Sequence, residues 1–357
     1  MHRRSLLTRT ARGLFAGALG LAALPLALPA MAQPKGEIVM GAWGGGTSAT
    51  WKAGVAEPFT KATGVAVKIN EWPDPEPQIR AQAANPQYNM AVATYFNAAN
   101  LDRDGLLETF DPAEFPALKL VPERYQMKSK NGRLLGIPAY FQYYGIALNT
   151  ELAKVSDFQS WKDLADPKWK GKLSITRPIY ASTYDLVMFA RVNGGDENRI
   201  EPGLDLLKAV ATNAVNVYNS MAQLNTLLTR GEVAAAPYYV TRVWGLKQAG
   251  AKNIEFVLPK EGGLMIPYIL IVPKNAKHPE AWRAFLQFAL ETTQQAKMLD
   301  LSGYIPFNTA TPIAPEHEAN FGMKLPALME RLYQPDWDVI ARTHKERVAL
   351  VEQLISR

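Results

Sequence analysis

The chain has 357 residues, 48% of them hydrophobic and 20% charged, and it carries a formal net charge of +6. Its length corresponds to about two domains, and its composition is typical of a packed globular protein rather than of a disordered chain, a collagen-like repeat or a coiled coil. Because the sequence contains no cysteine and only four histidines, disulfide bonds, thiol catalysis and a cysteine-ligated metal are excluded, and a multi-histidine metal site is disfavoured.

Residues 1–32 have the pattern of a cleaved export signal. A basic head containing Arg3 and Arg4 precedes an apolar stretch over 14–28, and small residues at the end of the segment predict cleavage after Ala32. The arginine pair indicates the twin-arginine route, with an ordinary secretory signal as the alternative. The apolar stretch is shorter than the ~20 residues that a membrane span needs, so a retained anchor is disfavoured. We predict a mature protein in the periplasm.

The positive charge is concentrated in this leader. Its four arginines and absence of acids account for +4, so residues 33–357 carry +2. A basic surface for nucleic acid is therefore not indicated, and no nucleic-acid partner is predicted.

The rest of the chain alternates short apolar runs with segments of helical periodicity. A first helix, capped by Thr47 or Ser48, is predicted to end at Gly64. Two later apolar stripes predict helices over 279–292 and 337–351, the second of which makes His344 a packed helical residue rather than a ligand. The alternation predicts a mostly parallel α/β sheet, with strands over 37–43, 65–71, 90–94, 145–149, 173–176, 215–218, 233–236, 254–258 and 265–272. The proline-rich stretch 71–77 is predicted to be a surface loop.

No catalytic constellation is present in the sequence. The serine-hydrolase elbow, the zinc-protease helix motif and the phosphate-binding Walker loop are all missing. We therefore predict no catalytic residue, no bound metal and no cofactor.

A glycine-rich turn follows the first predicted strand. Without side chains, the backbone N–H groups of Gly44 and Gly45 at a helix start can approach an anionic group, and Trp43 supplies a flat apolar wall. The alternative interpretation is a flexible turn between strand and helix.

Aromatic and arginine side chains follow other predicted strands. Ligand clefts open at the carboxyl ends of parallel strands, so this clustering indicates a binding cleft. Arg177 and Arg242 follow two of these strands and could hold a carboxylate or phosphate, with a surface role as the alternative. Adjacent phenolates can bind ferric iron, so the pair Tyr238 and Tyr239 keeps ferric iron as an alternative ligand. The aromatic residues are Tyr95, Phe96, Tyr140, Phe141, Tyr143, Tyr144, Tyr238, Tyr239, Tyr268 and Tyr304.

Several local strings resemble the periplasmic solute-binding proteins of ABC importers, and among them the spermidine/putrescine-binding family. These strings occupy 57–65, 160–164, 167–173, 231–233, 259–263 and 303–306. The resemblance implies a two-lobed, type II-like α/β periplasmic binding protein fold, with the ligand in a cleft between lobes joined by crossover strands near 141–145 and 265–270. It also implies a monomer whose partners are a small-molecule ligand and a membrane permease. The implied lobes are 36–142 plus 268–312 and 143–267 plus 313–357.

The same resemblance suggests individual pocket positions and also a change of ligand. The family's pocket aromatics correspond to Trp43, Tyr95, Tyr239 and Tyr304. Its polyamine-binding acids do not carry over, because they fall on Gly45, on Tyr268 and in the stretch that begins at Arg177. Asp185 could replace one acid. A dication would meet an arginine in a dehydrated cleft, which is costly.

An anionic solute that is amino-acid-like, opine-like or aminophosphonate-like is therefore the expected ligand class. The alternatives are a polyamine or ferric-ion binder of the same fold and an exported enzyme. An enzyme would need a nucleophile such as Ser182 or Ser220, and neither has a histidine nearby in the sequence.

Overall fold

The computed structural model describes residues 36–355, so the predicted export signal and its cleavage site lie outside the described residues. The strands within this range are β1 (Glu37–Trp43), β2 (Ala66–Trp72), β3 (Met90–Thr94), β4 (Ile137–Asn149), β5 (Leu173–Thr176), β6 (Ala214–Tyr218), β7 (Ala235–Tyr239), β8 (Ile254–Val257), β9 (Gly263–Ile271) and β10 (Leu332–Tyr333). The helices are α1 (Gly46–Trp51), α2 (Glu57–Thr63), α3 (Pro75–Ala81), α4 (Tyr95–Arg103), α5 (Pro178–Ala181), α6 (Asp185–Val192), α7 (Leu204–Asn213), α8 (Met221–Thr229), α9 (Val240–Gln248), α10 (Pro279–Ala289), α11 (Thr292–Ser302), α12 (Pro315–Phe321), α13 (Leu325–Arg331) and α14 (Trp337–Ile355).

These strands form one mixed sheet in the order β2-β1-β3-β9-β4-β7-β5-β6, with β10 on β9 and β8 on β4. Its two flanks are parallel, because β1 pairs with β2 and β3, and β5 pairs with β6 and β7. In the centre, the pairs β3–β9, β9–β4 and β4–β7 are antiparallel. The predicted mostly parallel sheet is therefore correct for the flanks and wrong for the centre.

The antiparallel centre consists of two long strands that pass from one flank to the other. All 13 residues of β4 are buried; its first part pairs with β9 and its second part with β7 and β8. The crossovers expected near 141–145 and 265–270 fall within β4 and β9. This arrangement is the two-lobed α/β fold that the sequence predicted.

Two hydrophobic cores flank these crossover strands. One joins β1 and β3 to the helices α2, α10 and α13. The other surrounds β5 and β7 with α6, α7 and α14, and it also includes Ile79, Ala98 and Leu101 from α3 and α4. The C-terminal helix α14 packs on both α4 and α5, and Arg103 Nη2 lies 3.1 Å from Asp338 Oδ1 across the first of these contacts.

Two local predictions need correction. The first helix begins at Gly46 and has no side-chain cap, because its N-cap is Gly45, at φ 70°. Thr47 and Ser48 lie within the helix, where their hydroxyls bond to Tyr304 and Glu71. The predicted loop over 71–77 is short, because Asp74 caps α3 and Pro75 fits the first helical position. The predicted end of the first helical segment at Gly64 is confirmed by its left-handed conformation.

A close contact between Gly41 of β1 and the Trp72 side chain at the end of β2 tests the packing of the sheet. A Cβ atom at Gly41 of β1 would overlap the indole ring of Trp72, which is itself buried. We expect Gly41→Ala to lower the free energy of unfolding by about 1–3 kcal/mol, because overpacking displaces a side chain that cannot move. Urea denaturation measures this change. Gly245→Ala in α9, where nothing lies within 4 Å of the added atom, is the control and should not destabilise the protein.

Candidate functional site

A cavity of about 500 Å³ opens at the carboxyl ends of β1, β3, β5 and β7. Because parallel strands place their carboxyl ends at the same edge, the segments that follow them converge on one space. On one side the cavity is lined by residues after β1 and β3, including Trp43 and Phe96. On the other side it is lined by α5 and α9, including Tyr180 and Arg242.

A stack of three tyrosines forms the back wall of the cavity. Tyr140 of β4 lies opposite Tyr268 of β9 in the sheet register, and their rings stack at 4.5 Å. Tyr304 stacks on the other face of Tyr140 at 4.0 Å, held there by the backbone bridge between Phe141 and Ile305. Trp43 packs edge-on against Tyr268. Such a wall offers flat faces to an apolar or cationic part of a solute.

Polar side chains line the same wall and hold its hydroxyl groups. The hydroxyls of Thr47 and Tyr304 lie 2.9 Å apart and share a hydrogen bond. Gln142 donates to the Tyr268 hydroxyl at 2.6 Å. The wall therefore combines aromatic faces with directed hydroxyl groups.

Among the described residues that line the cavity, Arg242 is the one arginine or lysine and Asp74 is the one aspartate or glutamate. Arg242 lies on α9, is exposed, and forms no ion pair with an acid within residues 36–355. Asp74 caps α3 by accepting a hydrogen bond from the Glu76 amide at 3.0 Å, and partial burial raises the pKa of its carboxyl. The cavity thus presents one cation from α9 and one anion from the start of α3.

The glycine-rich turn is occupied by an acid of the chain itself. The Gly45 amide donates to Glu71 Oε1 at 3.3 Å, and the Ser48 hydroxyl donates to the same oxygen. The carboxylate lies at the start of α1, where the helix dipole and free amides favour a negative charge. Gly44 and Gly46 line the cavity, whereas Gly45 does not. The turn offers fewer donors to a ligand anion than the sequence suggested.

Six of the nine predicted ligand-binding residues line this one cavity. They come from four separate parts of the chain and meet because the crossover strands bring both flanks together. They are Trp43, Gly44, Tyr239, Arg242, Tyr268 and Tyr304. Their contact with a ligand stays a prediction.

Tyr95 and Arg177 lie outside the cavity. Tyr95 is 2% exposed, and its hydroxyl donates to the Tyr125 carbonyl within the core. Its neighbour Phe96 lines the cavity instead, because successive residues of α4 point in directions about 100° apart. Arg177 is exposed, and its guanidinium lies 5.2 Å from the centre of the Tyr180 ring.

Sequence reasoning did not select several lining residues. His344 was predicted to be packed, yet it lines the cavity mouth, where Nε2 lies 3.0 Å from the Ile179 carbonyl and its ring lies 4.8 Å from Phe96. No local signal marks it, because its position depends on where α14 passes. Thr94 and Asn97 do carry a signal, the reciprocal capping box that begins α4.

Asp185 lies behind the cavity and does not line it. Its side chain is 1% exposed; Oδ2 accepts from the Tyr144 hydroxyl at 3.3 Å, and Oδ1 has no partner within the described residues. Burial raises the pKa of Asp185 to about 7. The role of a polyamine-binding acid, which the sequence left open for Asp185, would require it to become accessible.

The tyrosine pair considered for ferric iron does not converge on one point. Tyr239 lines the cavity, whereas Tyr238 is buried and donates to Asn225 Oδ1 at 2.8 Å on the other side of β7. Burial raises the pKa of both phenols, which disfavours the phenolate form that binds iron. Among residues 36–355, no group of three or more histidine or acidic side chains is placed to hold a metal ion.

The crossover strands, the two cores and the aromatic cavity between the flanks define a solute-binding protein. Residues 54–324 match the family model described as bacterial extracellular solute-binding protein, and the chain belongs to this family. None of the helices in the described range is both long and apolar enough to span a membrane.

The similar proteins have names that specify different solutes. Over 261 residues the chain is 25% identical to the spermidine/putrescine-binding periplasmic protein 1 of Haemophilus influenzae, covering 70% of this chain and 71% of the relative. It is 23% identical over 299 residues to a putative 2-aminoethylphosphonate-binding periplasmic protein of Salmonella paratyphi A, covering 82% and 84%. The solved structure of the Atu4243-GABA receptor superposes with a TM-score of 0.73 at 20% identity, covering 90% of this chain and 98% of that one. The predicted family is thus confirmed, and its relatives are periplasmic transport proteins.

Proposed function

We propose that this protein captures a small zwitterionic solute in the periplasm and delivers it to the permease of an ABC importer. The solute carries an amino group and a carboxylate or phosphonate, as in an amino acid, an opine or an aminophosphonate. The observation that carries this proposal is the charge of the cavity, which combines Arg242 on α9 with Asp74 before α3.

The cavity matches this class of solute in its polarity as well as its charge. The anionic group would pair with Arg242, whose planar guanidinium suits a carboxylate or phosphonate. The amino group would lie toward Asp74 and the faces of Trp43 and the tyrosine stack, which attract cations. Two relatives carry names that fit this class, the aminoethylphosphonate-binding protein and the GABA receptor.

The wider organisation follows from the same proposal. The leader directs export and is removed after Ala32, and the mature protein acts as a monomer. The lobes are 36–142 plus 268–312 and 143–267 plus 313–357. The two hydrophobic cores fit this division for β1, α2 and α10 and for β5, α6 and α7, whereas α13 packs in the first core, and α3 and α4 contribute to the second. Closure of such lobes around a solute would create the form that the permease recognises.

Two alternatives receive less support. A polyamine would bring two or more ammonium groups to a cavity that contains Arg242, at a cost in a partly dehydrated space. A serine enzyme would need an activated nucleophile, but the Ser182 hydroxyl donates to the Ile179 carbonyl and Ser220 caps α8.

A panel of small molecules tests the proposal by thermal shift. We expect 4-aminobutyrate or 2-aminoethylphosphonate to raise the melting temperature, since a solute at 100 times its Kd stabilises the folded state by about 2.7 kcal/mol. Butyrate and butylamine, which each lack one charge, are the matched controls and should have smaller effects. A larger shift with spermidine, putrescine or ferric citrate would reject the zwitterion assignment.

A further inference from the structure

Gln142 lies at the point where the crossover strands meet α9. It belongs to β4, its side chain is 8% exposed, and it lines the cavity beside the tyrosine stack. Its side-chain nitrogen donates to the Tyr268 hydroxyl on β9 at 2.6 Å, and its side-chain oxygen accepts from the Thr241 hydroxyl on α9. One amide therefore connects three elements of the fold.

These two hydrogen bonds determine the direction in which the Tyr268 hydroxyl donates. An amide nitrogen only donates, so the Tyr268 oxygen is the acceptor in its bond with Gln142. The Thr241 hydroxyl donates to the amide oxygen, which keeps the amide in this orientation. The Tyr268 proton is then directed away from Gln142, and within residues 36–355 no other group accepts it. Because Tyr268 lines the cavity, a solute can supply the acceptor for this proton.

The surroundings keep Tyr268 a neutral donor in a cavity that also contains a cation. Burial raises the pKa of Tyr268, and Arg242 lines the same cavity. Arg242 follows Thr241 directly on α9, so the bond from Thr241 to Gln142 also ties the arginine-bearing helix to β4.

We propose that Gln142 is a positioning residue, which orients the Tyr268 hydroxyl so that it donates, together with Arg242, to the anionic group of the solute. The inference rests on the proposed zwitterionic ligand and goes beyond it by assigning the second donor of the anion subsite. The inference implies that the site favours solutes that present a hydrogen-bond acceptor to the Tyr268 hydroxyl and disfavours solutes that present a donor there.

A double-mutant cycle read by calorimetry with 4-aminobutyrate and 2-aminoethylphosphonate tests this inference. We expect Tyr268→Phe to weaken binding by about 10- to 100-fold, as for a lost hydrogen bond to a charged group. Gln142→Met should cost less, and the double variant should be no weaker than Tyr268→Phe, because Gln142 acts only through Tyr268. Gln126→Met is the matched control, because the Gln126 amide also donates hydrogen bonds, to the Leu118 and Val121 carbonyls, but lies outside the cavity, so the affinity should not change.

Gln142→Glu supplies a signature that lost packing alone would not produce. An ionised glutamate accepts from both hydroxyls, so Tyr268 would donate to it and not to the solute. A protonated glutamate can donate again, so the 4-aminobutyrate affinity of Gln142→Glu, measured relative to wild type at the same pH, should recover as the pH falls toward about 5.

The outcomes separate the two proposals. Failure of both zwitterions to bind wild type rejects the proposed function, and this inference with it. Binding to wild type combined with additive losses in the cycle, or with no recovery of Gln142→Glu at low pH, rejects the inference alone.

Discussion

Arg242→Gln is expected to weaken the binding of 4-aminobutyrate or 2-aminoethylphosphonate by about 100-fold, because the cavity loses the cation that pairs with the solute anion. The melting temperature of the ligand-free protein should stay near that of wild type, since Arg242 is exposed and forms no ion pair within the described residues. Isothermal titration calorimetry of both proteins measures the loss directly.

Arg177→Gln is the matched control for this prediction. Arg177 also follows a strand on the same flank, but it lies outside the cavity with its guanidinium over Tyr180. We expect its substitution to change the affinity by less than about threefold. Equal losses for the two variants would contradict the assignment of the anion subsite to Arg242.

Asp185→Asn is expected to make the protein more stable than wild type at neutral and alkaline pH. The folded-state pKa of Asp185 is raised to about 7, above the ordinary aspartate value of 3.8 that applies to the unfolded chain. The folded protein therefore holds a proton that the unfolded chain releases. The stability that this proton confers is complete below about pH 4 and is lost as the pH rises to about 7. Above that range the carboxylate would be charged, buried and without a cation.

The size of the effect follows from the shift. A difference of about three pKa units corresponds to about 4 kcal/mol, so the advantage of Asp185→Asn should grow from near zero at about pH 4 to as much as this above pH 7. Urea denaturation of both proteins across this range measures it. Asp205 lies at an exposed position on α7, so the free energy of unfolding of Asp205→Asn should change with pH as that of wild type does. A constant difference between Asp185→Asn and wild type would mean that a cation or donor stabilises the carboxylate.

The elements predicted best are those whose signals are local. The strands over 37–43, 90–94 and 173–176 are confirmed to the residue, and Gly64 ends its helix as expected. These segments combine β-favouring apolar runs with a neighbouring helix cap or glycine, and such features act within a few residues. Whether the central strands run parallel or antiparallel had no comparable local signal, because buried strands of both kinds have the same apolar character.

In the candidate site, too, some side chains were predicted from local sequence signals and others were placed only by the tertiary structure. Trp43, Tyr239 and Arg242 were predicted from their places after strands, and all three line the cavity. Whether Tyr95 or Phe96 lines the cavity depends on how α4 is rotated about its axis, because successive residues of a helix point about 100° apart. The contact between Glu71 and the glycine-rich turn joins positions 26 residues apart, and no pattern in the sequence relates them.

By itself, the sequence determined the family, the crossover segments, most of the secondary structure and an aromatic, arginine-bearing cleft, because periodicity, turn residues and the matching strings are properties of neighbouring residues. Only the tertiary structure decided which charges share the cavity, that Glu71 fills the glycine-rich turn, that Gln142 orients Tyr268, and that His344 reaches the mouth. These features depend on where distant segments meet in space, since a hydrogen bond or a shared cavity is set by distances of a few ångströms between residues far apart in the chain.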